Sequence, residues 1–364
     1  MNGLSEATSA LVPPLLSFIA QDGCTDAEFD AMAARLFAHQ FAHNDALRRF
    51  AQRRGCTPRR VASWRDIPAV PIDAFKQATL SGEPTERCER AFVTSGTTRG
   101  EVKGRHWHPT LAVWDASMRA NFARRFMAGM TRLPMAVLFP PESQWGNSSL
   151  ARYLSQAVAQ FGATGSDWFV GEGGMDAAGL LAWLERAEAQ GEPVAVLGAS
   201  FSFVHLLDHL AVQGRRVRLP EGSRVLDTGG YKGQSRSLSP EDFYAALEDA
   251  LGVPRSRCIN MYGMTELSSQ FYDDGNARSP SMKSGPHWIR TRVVDPLTGR
   301  ELPVGERGIL VHCDLASFNS TTTILTEDVG VAVDGGFLLL GRAEGTQAQG
   351  CSVAAEDFLR AARA

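Results

Sequence analysis

The chain has 364 residues, 44% of them apolar, and a formal net charge of −3. That length is long for one domain, though it allows a single large α/β domain with a minor appendage, and the near-neutral balance offers no electrostatic case for a nucleic acid or a membrane surface as partner. The six cysteines (Cys24, Cys56, Cys88, Cys258, Cys313 and Cys351) are scattered without a Cys-x-x-Cys pair, which argues against structural zinc or a redox dithiol and suits a reducing cytoplasm.

The N-terminal run Leu11-Val12-Pro13-Pro14-Leu15-Leu16 has no basic region before it and no long apolar stretch, so neither a signal peptide nor a membrane span is expected. Residues 26–54 carry Phe29, Met32, Leu36, Phe37 and Phe41 at helical spacing, followed by an extended segment over 68–76. After the apolar run Ala91-Phe92-Val93 comes Thr94-Ser95-Gly96-Thr97-Thr98-Arg99-Gly100-Glu101-Val102-Lys103-Gly104. Glycines let a backbone aim several N–H groups at one anion, hydroxyls add donors, and Lys103 adds a mobile charge. The pattern predicts a polyphosphate-binding loop after a strand. The alternative is a plain surface loop.

Beyond the loop, strand and helix patterns alternate. Helices are predicted over 109–130, 150–160, 175–189, 201–212 and 240–251. Strands are predicted over 135–139, 167–170, 194–198 and 224–227, the last running into Thr228-Gly229-Gly230. The alternation implies a mostly parallel sheet flanked by helices. A short strand at Arg257-Cys258-Ile259 leads to Asn260-Met261-Tyr262-Gly263-Met264-Thr265-Glu266. Here Gly263 permits a sharp turn, Thr265 can cap or coordinate, and Glu266 is a natural Mg²⁺ ligand beside a triphosphate. Strands at 288–294, 308–313 and 321–325 and a final hairpin make a β-rich subregion. It contains Thr326-Glu327-Asp328 and, after the strand-like Phe337 to Leu340, Gly341-Arg342. Asp328 at a strand end can take both hydroxyls of a ribose, and Arg342 can pair with a phosphate. A charged hairpin turn is the plainer reading of that stretch. The expected division is 1–90 as a helical and extended flank, 91–285 as the α/β core, 286–342 as the β-rich subregion and 343–364 as a short tail.

Taken in order, the three motifs resemble those of the adenylate-forming enzymes: a Ser/Thr-Gly-rich loop ending in Pro-Lys-Gly, then Tyr-Gly-x-Thr-Glu, Thr-Gly-Asp and Gly-Arg. The loop here has one extra residue, with Val102 where proline is usual, and Thr326-Glu327-Asp328 departs from Thr-Gly-Asp. Tyr262 to Glu266 is intact. With only 343–364 after Gly-Arg, a large C-terminal domain with its lysine is not expected. The chain looks closest to the acyl-protein synthetases of bacterial luminescence and their phenylacetate–CoA ligase relatives.

The resemblance implies activation of a carboxylic acid, expected to be a fatty acid, by ATP and Mg²⁺ to an acyl-adenylate, then transfer to a thiol. Thr94, Ser95, Gly96, Thr97, Thr98, Gly100 and Lys103 would hold phosphates. Gly229, Gly230, Tyr262, Gly263 and Thr265 would frame the nucleotide, Glu266 would hold the metal, Asp328 the ribose, and Arg342 would stabilise charge. Lys232 or Lys103 could replace the missing lysine. In that family a tail cysteine accepts the acyl group, and Cys351 occupies such a place. Ser352 is expected to cap a short helix over 353–359, putting Cys351 at its N-terminus with a lowered pKa; otherwise Cys351 is a small buried apolar residue. Acceptors beyond it would be a reductase protein, a carrier protein or CoA. The rival readings are a carboxylate–CoA or carrier-protein ligase without a cysteine intermediate, and a non-catalytic nucleotide-binding protein. Trp145, Phe201, Phe203, Phe139 and Met264 are candidates for the acyl pocket. His205 and His209, one helical turn apart, read as a helix face, and His106-Trp107-His108 as strand.

Overall fold

The continuous apolar runs of the middle third form strands buried on both faces, as parallel sheets require. In the computed structural model, which describes residues 3–94, 102–231 and 233–363, these strands run in the order Phe271–Tyr272, Cys258–Tyr262, Arg224–Thr228, Ala195–Ala199, Met135–Leu138, Asp167–Trp168. All neighbours are parallel except the first pair. Gly198 is required by close approach, since a Cβ there would lie 2.8 Å from Leu138 Cβ. Helices Ala177–Gln190, Ser200–Val212 and Pro240–Leu251 cover the sheet through Trp183, Leu184, Phe203, Val204, Phe243 and Leu247. Each such side chain removed from water contributes about 1.5–3 kcal/mol. These elements belong to one compact unit, residues 121–263 and 270–283.

The other unit comprises residues 1–120, 264–269 and 284–364. It holds the N-terminal helices Glu6–Ile19, Asp26–His43 and Asp45–Arg53. The second starts at a full capping box of Thr25 and Glu28. Strands Ile289–Val294, Arg307–Asp314, Thr323–Val333 and Gly336–Arg342 pair antiparallel in succession. Val70–Pro71 runs parallel to Ile324 and Leu325 of the long strand. Arg90–Val93 and Arg105–His108 pair antiparallel on either side of the predicted phosphate loop in sequence, so His106 and His108 are strand residues as expected. Ser95, Gly96, Thr97, Thr98 and Gly100 lie outside the described residues, as does Lys232.

Several elements differ from the sequence reading. The single helix over 109–130 is Ala112–Phe122 followed by one π-helical turn, Ala123–Met127, because Ala128 adopts the left-handed conformation and stops it. The strand over 167–170 is split into Asp167–Trp168 and Val170–Gly171, the latter closing a hairpin with Gly174–Met175. Asn260, Met261 and Tyr262 lie inside their strand. Thr326-Glu327-Asp328 sits within an 11-residue strand, not at a strand end, because its hairpin partner extends the pairing that far. For the same reason Gly341 and Arg342 belong to the partner strand. The tail is the helix Thr346–Arg363, well beyond the 353–359 expected.

Candidate active site

The chain leaves the parallel sheet at Tyr262 and enters the second unit at Met264, where Met264 to Leu267 make a turn closed by Leu267 N–H to Met264 O at 3.2 Å. Two devices fix this turn. His106 Nδ1 lies 3.0 Å from Thr265 O, and its Nε2 lies 2.9 Å from Ser320 Oγ. Burial lowers the His106 pKa to about 4, so the ring is neutral, with Nδ1–H donating to the carbonyl. Behind the turn, buried Asp314 accepts from Ser268 N and Ser269 N, both at 2.8 Å, and from Ser269 Oγ at 2.7 Å. Sequence reasoning assigned roles to neither His106 nor Asp314. The His-x-His pair one residue after Gly104 was the available signal, and it reads equally as ordinary strand.

These anchors hold Glu266 only 5% exposed. Burial raises its pKa to about 7, Asp328 adds to the rise, and Arg342 and Lys76 oppose it. Gly104 belongs to this site by close approach: a Cβ would meet Thr94 Cγ2 at 3.1 Å and Glu266 Oε1 at 3.4 Å. Gly104 N–H donates to Thr94 Oγ1 at 2.9 Å, and Thr94 N–H to Gly104 O at 3.0 Å, which pins the base of the phosphate-loop hairpin. Lys103, one residue from this latch, is exposed.

The long strand brings a second carboxyl to the same unit. Asp328 faces Arg342 across the hairpin, with Arg342 Nε 3.1 Å from Asp328 Oδ1. A register shift accompanies this pairing: Val329 opposes Gly341 while Gly330 opposes Leu339, so Leu340 is the extra residue of a bulge. Gly341 adopts φ +123°, which few side chains tolerate. The bulge turns Arg342 onto both carboxyls of the motif, since its Nη1 lies 3.0 Å from Glu327 Oε2. Thr326 locks the strand locally, donating to Leu310 O at 2.8 Å and accepting from Asp328 N at 3.0 Å.

Cys351 belongs to this neighbourhood too, but not as a capped, activated thiol. It lies in the sixth position of the helix Thr346–Arg363, and Ser352 Oγ donates back to Ala348 O at 3.0 Å instead of capping. Its side chain is buried, with Sγ 3.7 Å from Thr326 O. Burial, then the charges of Glu327, Asp73 and Asp328, pushes the thiol up to about 11. The dipole argument fails because the helix begins five residues before the cysteine.

The remaining nucleotide candidates lie in the other unit. Gly229 has φ +76°, so its glycine is conformationally required, and Thr228 Oγ1 donates to Met261 O at 2.8 Å. Gly263 is not left-handed; its place is set by Met261 Sδ, 3.2 Å from where a Cβ would be. Tyr262 packs on Phe271 with ring centroids 5.8 Å apart. Under the sheet's end, buried Asp227 accepts from Ser200 Oγ (2.7 Å), Tyr244 OH (2.9 Å) and Asn260 Nδ2 (2.9 Å), and burial raises its pKa to about 6. Lys283 Nζ lies 2.6 Å from both Asn260 Oδ1 and Asp273 Oδ2. Phe203 is fully buried in the hydrophobic core, which removes it from the acyl-pocket candidates, whereas Trp145 is half exposed over Phe139.

The family model described as "Acyl-protein synthetase, LuxE" matches residues 24–359. The chain belongs to the acyl-protein synthetase family. This synthetase is 23% identical over 81% of its length to a long-chain-fatty-acid–luciferin-component ligase of Vibrio harveyi, covering 76% of that protein. It is 26% identical over 73% of its length to the ligase of the same name from Aliivibrio fischeri, covering 69% of it. Its fold is that of 2-hydroxyisobutyryl-CoA ligase in complex with 2-HIB-AMP, with a TM-score of 0.64 at 19% identity over 87% of this chain and 67% of that one. ATP-bound MatB from Rhodopseudomonas palustris matches with a TM-score of 0.51 at 18% identity, over 72% of this chain and 49% of that one. The α/β architecture read from the alternating strand and helix patterns is therefore that of the adenylate-forming ligases. Among the described residues of the synthetase, no helix is long and apolar enough to cross a membrane.

Proposed function

We propose that the chain activates a carboxylic acid, of the long-chain fatty class named for its relatives, with ATP, and passes the acyl group to the thiol of Cys351. The observation that carries this reading is the meeting of Glu266, Asp328, Arg342 and Cys351 in one electrostatic neighbourhood: Glu266 feels Arg342 and Asp328, and Cys351 feels Asp328. An acceptor thiol beside the groups expected to hold ribose and phosphate is what transfer within one chain needs.

In the first half, the substrate carboxylate attacks the α-phosphorus of ATP and pyrophosphate leaves. Thr94, Lys103 and the loop between them hold the β- and γ-phosphates, and Asp328 takes the ribose hydroxyls. Arg342, exposed beside Asp328, meets the developing phosphate charge. Glu266 fits a Mg²⁺ ligand. Its buried carboxyl disfavours its own charge, and a divalent ion supplied with the nucleotide would offset that cost. Bound there, the ion would neutralise phosphate charge. His106 and Asp314 keep the turn, and so the carboxyl, in place. In the second half the thiol displaces AMP, and a carrier, CoA or reductase then receives the acyl group.

The test is pyrophosphate release with a panel of fatty and aromatic acids, followed by labelled acyl-enzyme in the parent and in Cys351→Ala. Long-chain acids are expected to give release, and the Cys351→Ala protein to release pyrophosphate without retaining label. Failure of every acid would overturn the enzyme reading. Label persisting in the variant would move the acceptor elsewhere.

A further inference from the structure

Cys351 faces a crevice lined by Pro71, Ile72, Asp73, Leu325, Thr326 and Glu327. Strand pairing creates it. Val70 and Pro71 accompany the long strand at Ile324 and Leu325, and Ile72 N–H still reaches Leu325 O at 2.9 Å. The hairpin partner takes over only at Asp328, with Ala343 N–H to Glu327 O at 2.8 Å. Thr326 and Glu327 therefore lie at a gap between two partners, and the C-terminal helix lays Cys351 over it. Asp73 lies beside Glu327 at this gap, and its carboxyl helps to raise the Glu327 pKa.

We infer that Glu327, backed by Asp73, is the general base that removes the Cys351 thiol proton as the acyl group is transferred. This rests on Cys351 being the acceptor. A thiol pushed to about 11 is almost entirely protonated at neutral pH, so attack needs a base at the sulfur. The groups around the crevice suit Glu327 to that task. Asp73 precedes the short helix Ala74–Gln77, and that helix sends Lys76 Nζ to within 2.9 Å of Asp73 Oδ1. The long strand contributes Glu327 and Asp328, its partner strand contributes Arg342, and the 264–267 turn contributes Glu266. Burial and Asp73 raise the Glu327 pKa, while Arg342 and Lys76 restrain the rise. A carboxylate of raised basicity is a better partner for a thiol than an ordinary one.

The step balances. Sγ attacks the acyl carbonyl of the adenylate and its proton passes to the Glu327 carboxylate. The S–C bond forms, the C–O bond to phosphate breaks, and AMP leaves with the electron pair. Glu327 then returns the proton to water. Asp73 acts through Glu327 and is a positioning residue.

The experiment supplies preformed long-chain acyl-adenylate, so that defects in its synthesis do not enter, and follows acyl-enzyme by acid quench between pH 6 and 10. Glu327→Gln is expected to slow acylation about 100-fold at pH 7, with a rate that then climbs tenfold per pH unit as the thiol ionises unaided. Asp73→Asn, which leaves the Arg342 partner intact, is expected to lose about tenfold and to move the rising limb of the profile to lower pH. Should Glu327→Gln fold poorly, Glu327→Asp and Asp73→Asn carry the test. Parent-like rates, or a uniform slowing with the parental pH profile, would overturn the base assignment. Acyl-enzyme surviving in Cys351→Ala would overturn the acceptor reading instead.

Discussion

At the scale of single residues, the site is a set of ionisable groups whose charged forms are held back by burial. Glu266 stands at about 7 and Cys351 at about 11. The cysteine gives the sharper consequence. At pH 8 a thiol of ordinary pKa is about one-quarter ionised, whereas one near 11 is ionised about once in a thousand. Iodoacetamide is therefore expected to label Cys351 at least 100-fold more slowly than a free thiol at pH 8, with the rate rising toward pH 11. Peptide mass spectrometry against time measures this directly, and labelling at the rate of free cysteine would show that the thiol is open. Glu266 stands out in the sequence because Tyr262-Gly263-Met264-Thr265-Glu266 combines a glycine and a carboxyl in a specific order. The state of Cys351 does not. Ser352 after it suggested a helix N-cap, yet both lie inside the helix, as does Gly350, where a Cβ would come within 2.6 Å of Pro296 O. That glycine answers to a tertiary contact that local sequence does not encode.

At the scale of elements, the parallel strands and their helices were legible because alternating apolar runs and helix caps agree. Ser239 caps Pro240–Leu251, and Gly252 ends it in the left-handed conformation. The β-rich part was harder. Thr326 to Asp328 looks like a turn because it is polar, but the pairing of Asp328 with Arg342 and the bond from Ala343 N–H to Glu327 O keep it in a strand, and the bulge at Leu340 that aims Arg342 leaves no sequence mark except Gly341. The C-terminal helix owes its position to Cys351, Ala355, Phe358 and Ala361 on one face, with Phe358 fully buried 5.0 Å from the Phe50 ring. Replacing Phe358 with alanine is expected to cost about 3–5 kcal/mol of local stability. The helix should then undock, abolishing transfer to Cys351 while adenylate formation falls much less. Pyrophosphate exchange and acyl-enzyme assays on Phe358→Ala separate the two. Equal loss of both would show that the helix also shapes the adenylation site.

At the scale of the whole chain, the two units carry opposite kinds of buried ionisable group, so acid should act on them in opposite directions. The unit of residues 1–120, 264–269 and 284–364 buries histidines whose pKa values fall: His106 to about 4, His312 to about 3, His39 to about 4, and His108 well below its ordinary value. Unfolded, these four would bind protons from about pH 6.5 down, so the stability gained by keeping them neutral is lost as pH falls from 6.5 toward their folded values. Glu266 and Asp314 in the same unit work the other way, because their raised pKa values let the folded state bind protons first. Glu327, also raised, joins them, so four histidines stand against three carboxyls and the histidines stay ahead as pH falls toward 5. In the unit of residues 121–263 and 270–283, Asp227 is raised to about 6, so its ionisation weakens the fold at neutral pH and protonation relieves it between pH 7 and 4. Hydrogen exchange read by segment at pH 7, 6 and 5, corrected for intrinsic rates, should show protection falling around Arg105–His108 and Arg307–Asp314 while it holds or rises around Arg224–Thr228. Parallel loss in both segments would mean that the histidine network does not set the acid limit of this chain.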